Sequence, residues 1–130
     1  MSDTVLKELR DGVLLLTLNR PESKNSFNKE LWESFAAELD AARTDDDVTV
    51  VVVTGAGKDF SAGQDLKDYA VSGKAHSYRI TERAVVDFDK PLVAAAKGVA
   101  VGGGATILFH SDVLYVGESL RMRLPFNSLG

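Results

Sequence analysis

Val48-Thr-Val-Val-Val-Val-Thr-Gly-Ala-Gly-Lys-Asp-Phe-Ser-Ala-Gly-Gln-Asp-Leu66 runs from a β-branched apolar stretch straight into a glycine-rich turn. Lys90-Pro-Leu-Val-Ala-Ala-Ala-Lys-Gly-Val-Ala-Val-Gly-Gly-Gly-Ala105 repeats that arrangement further along. A strand that ends in glycines and opens into a helix leaves backbone N–H groups unpaired and aimed outward. Two such turns converging on one oxygen build an oxyanion hole. The uninterrupted run from Val48 to Thr54 reads as a strand buried on both faces, and hence as part of a parallel sheet with crossover helices.

Working outward, Val5 to Leu9 and Val13 to Leu18 are strand-like runs joined by Asp11-Gly12, a dipeptide that tolerates positive φ and suits a hairpin. Asn19 to Asn28 is a loop by its Pro, Ser and Asn content. Asn28 is placed to cap an amphipathic helix carrying Leu31, Trp32, Phe35, Leu39 and Ala42 on one face, which ends before Thr44-Asp-Asp-Asp47. Asp65 can cap a short helix after the first glycine turn. Ser77 to Phe88 is a further helical segment with Ile80, Ala84, Val85 and Phe88 at helical spacing. Leu92 to Ala96 and Val99 to Val101 read as strand on either side of Gly98. Ala105 to His110 then reads as a short buried helix leading to the strand Val113 to Val116. The order is strand, helix, strand, helix, strand, with no internal repeat or linker.

The composition excludes several classes. With 130 residues the chain is one domain by length. Its 15 Lys and Arg against 19 Asp and Glu leave a formal charge of −4, and no basic stripe tracks a nucleic-acid backbone. Cysteine is absent, which removes a disulfide framework, thiolate metal sites and a cysteine nucleophile. The N-terminal residues carry no basic-then-apolar signal, and Leu92 to Val101 is too short and too interrupted to span a bilayer. A cytoplasmic protein with no nucleic-acid or membrane partner is the expectation.

Among motifs, Gly55-Ala-Gly57 begins like a dinucleotide fingerprint, but Phe60 stands at the third glycine position, and no phosphate-binding Gly-x-x-x-x-Gly-Lys-Ser/Thr loop occurs. Ser61 is not in a nucleophile elbow, because Asp59 stands where the first glycine belongs. His76 and His110 read as surface or helix-end histidines and make no metal site. Asp45-Asp46-Asp47 reads as a solvated turn, and Trp32 and Phe35 as core.

The glycine turns remain. Phe60-Ser-Ala-Gly-Gln-Asp-Leu66 and Lys90 to Gly104, with Leu18-Asn-Arg-Pro-Glu-Ser-Lys-Asn-Ser-Phe-Asn28 upstream in the right order, closely resemble the crotonase superfamily, the enoyl-CoA hydratases and isomerases. The resemblance runs from about Thr4 to Gly130. It implies an α/β, crotonase-like (ClpP/crotonase) spiral of ββα units, with residues 1–130 as the N-terminal part of a single domain. It also implies an acyl-CoA thioester substrate whose carbonyl is polarised by the backbone N–H groups of Gln64 and Gly103. Lys24, Ser26, Ala62, Gly63, Asp65 and Leu66 would border the bound substrate, with the Lys24 and Ser26 loop near its adenine and phosphate end. Coenzyme A is then part of the substrate, and no separate cofactor or metal is required. A trimer or hexamer is the assembly expected for the full-length form.

Two departures from the family narrow the reaction. A hydratase of this family uses two glutamates, and the matching positions here are Thr106 and Phe126, neither of which can move a proton. Arg123-Leu-Pro-Phe-Asn-Ser-Leu-Gly130 instead looks like the isomerase branch, in which a glutamate shortly after the Leu-Gly pair shuttles a proton between two carbons. The chain stops at Gly130, just before that position, so the expected base and the helices that cover the site would lie beyond it or on a complementing C-terminal half. The favoured reaction is a Δ3-to-Δ2 enoyl-CoA isomerisation. The alternatives are a hydratase-like paralogue acting on another CoA ester, and a catalytically silent acyl-CoA-binding or interaction fragment.

Overall fold

The computed structural model describes residues 3–72 and 76–126. Strands β1 (Val5–Arg10) and β2 (Val13–Leu18) form an antiparallel hairpin in register from Val5 opposite Leu18 to Arg10 opposite Val13. Asp11 and Gly12 turn it with φ of 51° and 83°, so both central residues lie in the left-handed region that a two-residue hairpin needs. Helix α1 (Lys29–Thr44) follows, and β3 (Val50–Gly55) returns parallel to β2. Helices α2 (Leu66–Ser72) and α3 (His76–Asp87) lead to β4 (Leu92–Ala96), parallel to β3. Then come β5 (Val99–Val101), α4 (Gly103–His110), β6 (Val113–Val116) and β7 (Arg121–Arg123).

The main sheet has the order β1-β2-β3-β4-β6, mixed because only the first pair is antiparallel. A second, two-stranded parallel sheet pairs β5 with β7. Leu16, Val53 and Ala94 form one row across the main sheet, fully buried, and Leu14, Val51 and Leu92 form the next. The apolar stripe of α1 (Leu31, Trp32, Phe35, Ala36, Leu39, Ala42) belongs to the same core.

Both ends of α1 are closed by side chains. Asn28 Oδ1 accepts the Leu31 N–H at 2.9 Å. At the other end Lys90 Nζ donates to the carbonyls of Ala42, Asp45 and Val48 at 2.7–2.8 Å, a charged donor gathering the carbonyls of the last turn and the loop after it.

Four expectations need correction. The first strand of the quoted stretch starts at Val50 rather than Val48, because the Val48 N–H closes a turn on the Asp45 carbonyl. It is also buried on one face only: Val51 and Val53 are inside, while Val50, Val52 and Thr54 are half-covered. On α3 the inward stripe is Ser77, Thr81, Ala84 and Val85, and Ile80 is 39% exposed. A threonine takes the inward position because its hydroxyl donates to the Trp32 carbonyl at 2.6 Å and so enters the core with a partner. Finally, α4 starts inside the glycine run, at Gly103, two residues before the expected Ala105.

Candidate active site

The loop of residues 19–28 and the two glycine turns meet at one place. Pro21–Ser23 form a single 3₁₀ turn, after which Lys24 and Asn25 both take φ of 53°. That consecutive left-handed pair turns Asn25 inward, where it is fully buried. Its Oδ1 accepts the Arg20 N–H at 2.8 Å, and its Nδ2 donates to the carbonyls of Ala56 and Asp59 at 2.9 and 2.8 Å. One amide thus joins the loop to the first glycine turn with its hydrogen-bonding capacity well used.

From that anchor the backbone of residues 61–65 is fixed donor by donor. Ser61 N–H goes to Val99 O, Ala62 N–H to Lys24 O, and Asp65 N–H to Phe27 O, at 2.9–3.0 Å. The Gly63 N–H goes to the Ser61 hydroxyl at 3.1 Å, and that hydroxyl donates in turn to the Asn25 carbonyl at 2.8 Å. Gln64 forms a parallel bridge with Phe27 that uses the flanking groups of Gly63 and Asp65. Among the described residues, the Gln64 N–H is the donor of this run left with no acceptor.

The second turn is built likewise. Gly102 N–H donates to Arg123 O at 2.9 Å, and the N–H groups of Ala105 and Thr106 close on Gly102 O. Gly103, the first residue of α4, has a free N–H because a helix offers no acceptor to its first donors. The two turns touch: a Cβ on Gly63, whose φ is +85°, would run into the Val101 carbonyl and sit 3.2 Å from the Gly103 nitrogen. Gly104 packs as closely on Ser61. Glycine is therefore required at Gly63 by conformation and by space together.

The Gln64 side chain is tied as well. Its Oε1 accepts Trp32 Nε1–H at 2.9 Å, and its Nε2 donates to the carbonyls of Phe27 and Asp65 at 3.2 and 3.0 Å. By sequence only the backbone of this residue has a role, and Trp32 reads as plain core. Trp32 is core, 2% exposed, yet it also contacts the site. An indole N–H in an otherwise apolar stripe is the one signal that pointed there, since a buried indole takes an acceptor.

Asp65 caps α2, accepting the N–H groups of Lys67 and Asp68 at 3.0 and 3.1 Å. Its other oxygen faces Arg20 at 3.2 Å and the Ser26 hydroxyl at 3.5 Å. Partial burial alone would raise its pKa, but the backbone donors and the Arg20 guanidinium outweigh it and hold the carboxyl below its ordinary value. Arg20 also donates to the Ser26 carbonyl at 2.6 Å.

The expected rim residues thus separate by the groups they leave open. Ser26 is buried with its hydroxyl engaged, Lys24 is exposed with its carbonyl holding Ala62, and Leu66 is 67% exposed at the start of α2. Thr106 Oγ1 is turned back onto the Gly103 carbonyl at 3.0 Å. The Phe126 ring lies 4.0 Å from where a Gly102 Cβ would stand. Thr106 and Phe126 therefore both lie beside the triple glycine. Residues 127–130 and the His76 side chain lie outside the described set. Among the described residues no group of three His, Asp or Glu side chains is placed to hold a metal ion, and no helix is long and apolar enough to cross a membrane.

Residues 8–130 match the enoyl-CoA hydratase/isomerase family. The chain belongs to that family. It is 36% identical over its full length to 1,2-epoxyphenylacetyl-CoA isomerase and 38% identical to 2,3-dehydroadipyl-CoA hydratase, both from Escherichia coli strain K12. It spans about half the length of these relatives, 53% and 52%. The crystal structure of an enoyl-CoA hydratase from Mycobacterium marinum superposes with a TM-score of 0.92 at 38% identity, covering 97% of this chain and 63% of that one. The α/β fold, with β1-β2-α1 and β4-β5-α4 as ββα units, is that of the crotonase family.

Proposed function

We propose that this chain forms the oxyanion-binding half of an enzyme acting on enoyl-CoA thioesters, with the N–H groups of Gln64 and Gly103 as the two donors. What carries the reading is the pairing of every neighbouring donor in residues 61–65 while that of Gln64 is left open, beside the open N–H of Gly103. Removing a proton next to a thioester carbonyl places negative charge on its oxygen. Donors that are already fixed stabilise that enolate more than the ground state, by about 3 kcal/mol for each one. Both donors sit in backbone held by other hydrogen bonds, so they need not reorganise during the reaction.

Lys24, Ser26, Ala62, Gly63, Asp65 and Leu66 form the rim along which the coenzyme A portion runs, with the Lys24 side chain free to meet a phosphate. Ser26 and Asp65 contribute by shaping that rim, since their polar groups are already engaged. Coenzyme A arrives with the substrate, so no further cofactor is invoked. Residues 1–130 are the N-terminal part of one domain, working in the cytoplasm within a trimer or hexamer of full-length chains.

The names of the relatives include both an isomerase and a hydratase, so the reaction rests on the residues. Thr106 and Phe126 cannot activate water or return a proton, which favours a Δ3-to-Δ2 double-bond shift driven by a carboxylate after residue 130. The test is to give the full-length protein 3-enoyl-CoA and trans-2-enoyl-CoA in separate assays. Conjugation of the first without hydration of the second is expected. Hydration without isomerisation would overturn the reaction assignment. The same two residues favour a second reading, a silent acyl-CoA binder, which saturable binding without turnover of either substrate would establish.

A further inference from the structure

We propose that Trp32 is a positioning residue that fixes the separation of the Gln64 and Gly103 N–H groups; this rests on the oxyanion reading above. One end of the indole donates from Nε1 to Gln64 Oε1 at 2.9 Å. The other end presses on Gly103, where a Cβ would meet Trp32 Cη2 at 3.0 Å. The two turns come from segments about forty residues apart in the chain, and this single rigid ring contacts both.

The ring itself has little freedom. Phe27 stacks on one side with centroids 3.9 Å apart, and Tyr78 meets it edge-on at 5.3 Å. The backbone carbonyl of Trp32 accepts the Thr81 hydroxyl at 2.6 Å, tying α1 to α3 at the same residue. Gln64 transmits the position onward, since its amide also donates to the carbonyls of Phe27, its bridge partner, and of Asp65, the next residue. A shift of the indole therefore moves the Gln64 backbone and the start of α4 together. A leucine at this position would fill the core and leave both turns to set their own spacing.

The consequence is differential. A ring that only fills space would, when altered, weaken every ligand alike. A ring that sets donor spacing matters most when the bound oxygen carries negative charge. Acetoacetyl-CoA, whose enolate places charge on the thioester oxygen, and butyryl-CoA, which stays neutral there, separate the two cases without turnover.

Binding of both probes is measured by calorimetry on the full-length protein, for the wild type, Trp32→Phe, Gln64→Leu and the double variant. Leu39→Val, a core change on α1 away from the turns, is the stability control. Trp32→Phe keeps an aromatic ring but removes both the N–H and the ring edge that meets Gly103. It is expected to weaken acetoacetyl-CoA about fivefold more than butyryl-CoA, as the loss of one neutral hydrogen bond allows. Gln64→Leu should shift the ratio in the same direction, and the double variant should fall short of the sum of the two single effects, because the Nε1–Oε1 hydrogen bond is lost in both. Leu39→Val should leave the ratio at its wild-type value.

An unchanged ratio in Trp32→Phe and Gln64→Leu, with wild-type binding intact, overturns the proposal while leaving the oxyanion reading standing. Wild-type protein that binds neither probe overturns the oxyanion reading and this proposal with it. Should Trp32→Phe fold poorly, Gln64→Leu decides.

Discussion

At the residue scale the site depends on a few positions that admit no substitute. Gly63→Ala forces a Cβ into the Val101 carbonyl at a φ of +85°. We expect it to cost on the order of 2 kcal/mol or more, read from the shift of a denaturant midpoint, because conformational strain and steric overlap act together. Asn25→Ala should be comparably damaging. It leaves the carbonyls of Ala56 and Asp59 and the Arg20 N–H without their shared partner, and buried groups left unpaired cost about 1–3 kcal/mol each. Asp65 gives a dependence on pH. Its folded pKa lies below the ordinary carboxylate value, so it stabilises the fold above its unfolded pKa of about 3.9, and that contribution is lost as pH falls through the lower folded value. Acid melts of Asp65→Asn should therefore lose part of the steepness that the wild type shows below about pH 4. Asn25 was missed in the sequence because it stood in a run of polar loop residues. Nothing local distinguishes an asparagine that turns inward.

At the scale of elements, the hairpin, α1 with its Asn28 cap and the parallel strands were legible because each follows a local rule. Asn28→Ala is expected to cost about 1 kcal/mol in thermal or chemical unfolding, since Oδ1 is the acceptor the Leu31 N–H uses. The helix boundary at Gly103 was not legible. A run of glycines carries no propensity for a helix start, and what sets it is the Gly102 carbonyl receiving two N–H groups. The stripe of α3 was misread by one position for a related reason. Periodicity ranks Ile80 above Thr81, whereas the fold ranks them by partners, and the Trp32 carbonyl was waiting for a hydroxyl. The pairing of β5 with β7 was likewise invisible, because Arg121-Met-Arg123 is too short and polar to read as a strand and gains that identity only from the neighbour it meets.

At the scale of the molecule, the family is readable from three motifs in order, while their convergence at one place is a property of the fold. The second face of the main sheet carries Val13, Leu15, Val52, Val93, Val113 and Tyr115, none of them fully buried in the 130-residue chain. If further chain or a partner covers this face, the 130-residue chain produced by itself should bind a hydrophobic dye such as ANS far more strongly than the covered form. Equal dye fluorescence from the two forms would show that this face is left open.

The open donors at the two turns also leave a signature in time. An amide with a protein acceptor trades its hydrogen for deuterium only when its segment opens, whereas one without an acceptor trades whenever water reaches it. Ser61, Ala62 and Asp65 should therefore hold their hydrogens for as long as the core does, with Gln64 and Gly103 among them exchanging orders of magnitude sooner. An acyl thioester seated on both would slow these two amides and leave their neighbours unchanged, so the site would mark its own occupancy at single-residue resolution.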